Sequence, residues 1–119
     1  MIETSRLAGT NIVINRVTGD LLPEEVEQAV ARTLTEAQEA PIIWDVREAR
    51  FEHYTYDDAK QVDSVLTDQY ERMQGQRRAF LVRDELQRQL VVMIVGRIQA
   101  PFPWAVFDAL DDATAWLAP

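Results

Sequence analysis

The chain has no cysteine among its 119 residues, which excludes disulfides, thiolate metal sites and cysteine nucleophiles. Glycine occurs at four positions, 9, 19, 75 and 96. Neither a GxGxxG fingerprint nor a P-loop can be written with that spacing, which argues against the common kinds of nucleotide chemistry. His53 is the sole histidine and serine occurs at positions 5 and 64, so a Ser-His-Asp arrangement has no natural members. No long hydrophobic run is present either. The longest, Leu90 to Val95, has six residues, against the roughly 20 needed to cross a bilayer.

Basic residues are also few. Twelve Lys and Arg against twenty Asp and Glu leave a net charge of −8. The densest basic stretch is Arg72, Arg77 and Arg78, with Glu71 beside it. Nucleic-acid binders neutralise phosphates with clustered cations, so neither nucleic acid nor an anionic membrane surface is an expected partner. The opening Met-Ile-Glu-Thr-Ser-Arg lacks the basic-then-apolar order of a signal peptide. A cytoplasmic location and no membrane insertion are expected.

What is present is a core. At this length a chain buries roughly two-thirds of its unfolded surface, and 47% hydrophobic content supplies one domain spanning 1–119. Strand and helix signals alternate, which predicts an α/β layer structure. Ile12, Val13, Ile14 and Val17 make a β-branched segment ended by Gly19-Asp20. Residues 2–8 are its hairpin partner, with Gly9-Thr10-Asn11 near the turn. Pro23 suits a first helical position, and Glu24 and Glu25 suit the first turn. Leu22, Val26, Val30 and Leu34, widened by Ala29 and Ala37, form a helical stripe that ends before Pro41.

Ile42 to Val46 reads as a buried central strand. Thr55, with Asp58 three residues on, opens a second helix whose apolar face is Ala59, Val62, Leu66, Tyr70 and Met73. Gly75 suits its left-handed end, and Ala79 to Val82 is the next strand. Residues 84–98 combine strand-like composition with an N-cap at Asp84 and helical spacing of Leu86, Leu90, Met93 and Arg97; the spacing predicts a helix. Pro101-Phe102-Pro103 is a stiff loop, Trp104 to Phe107 a last strand, and Leu110 to Leu117 a terminal helix.

From Ile12 to Leu117 the chain resembles the SpoIIAA-like or STAS-like superfamily, the anti-sigma-factor antagonists and their relatives, and most of all their short stand-alone bacterial members. The resemblance rests on Ile42-Ile43-Trp44-Asp45-Val46-Arg47 followed by Phe51, on Arg78-Ala79-Phe80-Leu81-Val82 leading into a helix, and on Val106-Phe107 followed by Ala113-Thr114-Ala115-Trp116-Leu117. It implies a small mixed sheet of roughly four to five strands, with about four helices packed mainly on one face. It also implies action by binding a partner. In several relatives a hydroxyl at the start of the helix after the central strand is phosphorylated. The antagonists carry Asp-Ser-Ser-Gly there; this chain reads His53-Tyr54-Thr55-Tyr56 and keeps a hydroxyl at Thr55. Lipid-transfer-like folds have been grouped with these short proteins, which keeps a small apolar ligand in view.

Thr55 is therefore a phosphoacceptor or a helix cap, and capping accounts for it with Asp58 alone. His53 lies near Glu52, Asp57 and Asp58, but a metal site needs three or four converging ligands; no metal and no cofactor are expected. Asp111-Asp112 and Glu24-Glu25 sit in first turns, where the helix dipole favours them. Phe51, Tyr54, Tyr56 and Trp104 are candidates for a ligand crevice at the strand ends, where open α/β sheets bind ligands; ordinary core packing is the plainer account. In a helix over 84–98, Val91, Val92 and Val95 leave the 86–90–93–97 stripe, and exposed apolar patches mark interfaces. These three valines are the expected homodimer contact; a strand, or a helix buried on both sides, is the alternative. The overall expectation is a non-enzymatic binding or regulatory module acting through protein contact, with carriage of a small apolar or lipid-like ligand as the alternative.

Overall fold

The computed structural model describes residues 1–36, 39–69, 71–73, 75–97, 100 and 102–118. Its frame is a five-stranded sheet in the order β1-β2-β3-β4-β5, made of β1 (Ile2–Arg6), β2 (Val13–Asp20), β3 (Ile42–Arg50), β4 (Arg78–Leu81) and β5 (Trp104–Phe107). β1 is antiparallel to β2, and the other neighbours are parallel. Between and after them come α1 (Pro23–Glu36), α2 (Tyr56–Asp68), α3 (Glu85–Arg97) and α4 (Leu110–Leu117). The mixed sheet with four helices among the described residues is the architecture expected from the sequence.

Spatial order follows chain order, and α1, α2 and α3 pack into one core on the same side of the sheet, as crossovers of a common hand require. Side-chain alternation along the strands then sorts two cores. Val17, Ile42, Trp44, Val46 and Val82 pack with Val26, Val30 and Leu34 of α1, Val62 of α2, and Val91 and Val95 of α3. Ile14, Ile43, Ala79 and Leu81 point the other way and meet Ala113 and Leu117 of α4.

The hairpin forms where expected, with Arg6 opposite Val13 and Ile2 opposite Val17. Gly9 turns the chain at φ +77°, a conformation that favours a residue without Cβ. β2 does not stop at Gly19. A register shift between Arg16 and Thr18 carries it on to pair Gly19 with Ala49 and Asp20 with Arg50. This pairing also extends β3 four residues beyond Val46. In α1 the stripe Val26, Ala29, Val30 and Leu34 is buried, Leu22 is exposed ahead of the helix, and Ala37 lies outside the described residues.

α2 is shorter than its periodicity predicts. Its C-cap is Gln69, a single 3-10 turn follows at Glu71–Met73, and the left-handed Gly75 (φ +83°) closes that turn rather than the helix. Tyr70 lies outside the described residues. Met73 is still buried, through the turn.

Residues 85–97 are helical, with the Gln87 amide donating to Asp84 Oδ1 at 2.9 Å in N-cap fashion; Ile98 lies outside the described residues. The inward face is a correction to the sequence reading. Gln87, Val91 and Val95 face the sheet, while Leu86 is 67% and Met93 55% exposed. The physical reason lies in β3. β4 stops opposite Asp45, and Gln87 Nε2 donates to the carbonyls of Val46 at 3.0 Å and Ala49 at 3.3 Å. Buried carbonyls must find donors, so a polar residue sets the rotation of an apolar helix.

Candidate functional site

A cavity of about 90 Å³ lies between the sheet and the layer of α1, α2 and α3. Trp44, Val46 and Phe80 form its floor, and Val26, Val30, Val62, Leu66, Val91 and Val95 its helical wall. Well-packed interiors hold few voids larger than a water molecule, so an apolar space of this size is a feature of the fold. Phe51 and Tyr54 close one side. The Tyr54 amide donates to the Phe51 carbonyl at 3.0 Å, and the rings meet edge to face with centroids 6.4 Å apart, a favourable aromatic geometry.

Tyr54 Oη is buried with no hydrogen-bond partner among the described residues. Burial, aided by the carboxylates of Asp63 and Asp58 and opposed by Arg97, pushes its phenol up to about 12. A buried hydroxyl without a partner is costly.

The other polar group in the wall is Arg78. It is 2% exposed and shares the inward face of β4 with Phe80. Its guanidinium donates to Gln76 Oε1 and stacks over the Phe102 ring at 4.2 Å. Nη1 has no acceptor among the described residues, and neither has Gln76 Nε2 a partner. Burial lowers the guanidinium to about 10. No carboxylate among the described residues is paired with it.

The sequence-predicted crevice forms in part. Phe51 and Tyr54 line the cavity; Tyr56 and Trp104 do not. Tyr56 is 64% exposed, with Lys60 Nζ 4.7 Å and the Arg97 guanidinium 5.5 Å from its ring. As the first residue of α2 it turns outward once Thr55 caps the helix. Trp104 pairs in register with Arg78 at the N-terminal ends of the parallel strands, whereas Phe51 follows the C-terminal end of β3. It packs edge-on against Phe80 at 6.3 Å.

The expected dimer contact is corrected for two of its three residues. Val91 and Val95 are buried against the chain's own sheet and line the cavity, and Val92 alone is exposed. The rotation of α3 fixed by Gln87 is the cause. Thr55 completes a capping box: its Oγ1 accepts from the Asp58 amide at 3.1 Å and its own amide donates to Asp58 Oδ2 at 3.0 Å. His53 is exposed, and among the described residues no group of three His, Asp or Glu is placed to hold a metal ion. No helix among them is long and apolar enough to cross a membrane.

Two functional candidates escape the sequence reading, Arg78 and Gln76. A signal existed for the first. In a strand covered on both faces, the alternation that turns Phe80 inward also turns Arg78 inward. A second buried charge, Asp45, is fully engaged. Arg47 donates to it from Nε and Nη2 at 2.9 Å and from its amide at 3.2 Å, and Arg16 Nε lies 3.4 Å away. Burial alone would raise its pKa, but these hydrogen bonds and charges hold it below the usual value.

No protein-family profile matches the sequence, and no curated protein matches it. Among solved structures the fold is similar to an uncharacterised protein of the DUF3478 family with a SpoIIAA-like fold from Shewanella loihica PV-4. The TM-score is 0.68 at 18% identity, covering 99% of this chain and 93% of that one. The chain has a SpoIIAA-like fold, as the strand and helix patterns of its sequence imply.

Proposed function

We propose that this domain is a non-enzymatic binding module that takes a small apolar ligand into the cavity beneath α1, α2 and α3. The observation that carries the reading is the cavity itself, about 90 Å³ and walled by aliphatic and aromatic side chains from every element of that layer. Ligand sites are concave and mostly apolar with a few polar groups that fix orientation, and Tyr54 and Arg78 are such groups. Apolar cavities of about 150 Å³ hold benzene, which scales this one to a compact ligand of few carbons.

A protein-contact reading, including a homodimer, has its own support in Leu86, Val92 and Met93. These are exposed on the outer side of α3, where contiguous apolar surface favours association. Native mass spectrometry of freshly purified protein separates the two. A retained small apolar adduct on the monomer is the expected result. A clean dimer without adduct, and no uptake of added small apolar compounds, overturns the ligand reading.

A further inference from the structure

The apolar cavity holds one feature that an apolar ligand alone leaves unexplained, the Arg78 guanidinium. An arginine with 2% exposure keeps its charge in proteins, and buried charges are ordinarily paired. Here the charge faces a neutral amide oxygen, that of Gln76, and the ring of Phe102. The seven ion pairs among the described residues leave Arg78 out. Among the described residues Arg78 Nη1 and Gln76 Nε2 have no partner, and of the two side chains Arg78 lines the cavity.

We infer that the ligand of this cavity is an amphipathic monoanion, a carboxylate on a compact apolar body, with its head group held by Arg78 of the cavity wall. The inference rests on the ligand-binding reading above and names the chemical class of the ligand. A carboxylate presents two oxygens, and a guanidinium presents a fork of N–H groups that matches them. The charge number follows from the walls: among the described residues Arg78 is the one cation lining the cavity. A phosphate dianion would leave a charge uncompensated in an apolar space, which is costly. The body of the ligand would extend from Arg78 at the start of β4 along Trp44 and Phe80, past Val91 and Val95, toward Phe51 and Tyr54.

The test compares two probes of one chain length, butyrate and 1-butanol, by calorimetry and thermal shift at pH 7 on the whole chain. The expected result is at least tenfold tighter binding of butyrate, with the preference abolished in Arg78→Met while 1-butanol still binds. Arg78→Lys, which keeps the charge, retains part of the preference and guards against misfolding of the methionine variant. Equal affinity of the two probes for the unaltered chain, or an unchanged preference in Arg78→Met, overturns the inference and leaves the apolar-ligand reading standing. Binding of neither probe overturns both.

Discussion

Gln87 Nε2 lies 3.0 Å from the Val46 carbonyl oxygen, so a side chain of α3 takes over where the backbone of β4 ends. Gln87 Oε1 at the same time accepts from the Arg83 amide at 2.7 Å. One buried side chain thus closes the end of a strand and the start of a helix. Gln87→Leu, which fills similar space but bonds nothing, leaves the Val46 and Ala49 carbonyls and the Arg83 amide short of a partner. The expected loss is about 2 kcal/mol, read as a shift in the urea midpoint at unchanged slope. A change within about 0.5 kcal/mol, the size of an ordinary surface substitution, would show that Gln87 does not set the rotation of α3.

That rotation predicts opposite behaviour for neighbouring valines. Val91→Glu places a carboxylate in the cavity wall and is expected to cost about 4 kcal/mol or more. Val92→Glu, on the exposed side, is expected within about 0.5 kcal/mol of the parent. Denaturation of both variants, with mass by light scattering on the second, checks this. A fall in mass for Val92→Glu would favour a protein contact through α3.

Thr55 caps α2 reciprocally with Asp58, and the cap carries its own test. Thr55→Ala is expected to cost about 1 kcal/mol and Thr55→Ser close to nothing. With a domain of this size that is a fall in Tm of about 4 °C for alanine. An alanine variant as stable as the parent would remove capping as the reason for a hydroxyl at this position and strengthen phosphorylation as its role.

The Tyr54 phenol, raised to about 12 by burial, gives a pH prediction. Its folded pKa lies above the ordinary value near 10, so the folded state holds the proton longer than the unfolded chain. Stability from this group is complete below pH about 10 and falls as pH rises toward 12. Tyr54→Phe should flatten the slope of stability against pH in that window and remove a late phenolate step from the ultraviolet titration. The same slope in both proteins would mean that Tyr54 is not buried in solution.

Much of the fold was legible because its signals are local. Pro23 and the two glutamates after it mark α1, Thr55 with Asp58 marks α2, and the β-branched runs mark the strands. The rotation of α3 was not legible, since Leu86, Leu90 and Met93 and, one step round, Val91, Ile94 and Val95 are both apolar at helical spacing. The choice between them is made by carbonyls on a strand some 40 residues earlier in sequence, through Gln87. The candidate site was half legible. Phe51 and Tyr54 follow β3 into the layer, but Tyr56 faces out because the helix begins at it, and Trp104 belongs to the opposite end of the strands. Gln76 was hidden because a loop residue carries no periodicity from which to read burial.

The sheet order bears on synthesis. Each parallel strand pairs with the one made just before it, so the layer of α1, α2 and α3 can assemble from a single advancing edge as the chain emerges. The reverse face behaves differently. Ile43, Ala79 and Leu81 have α4 as their helical cover, and α4 is translated after every strand. Until α4 has emerged and docked, the sheet keeps one oily side bare, a natural target for a chaperone or a protease.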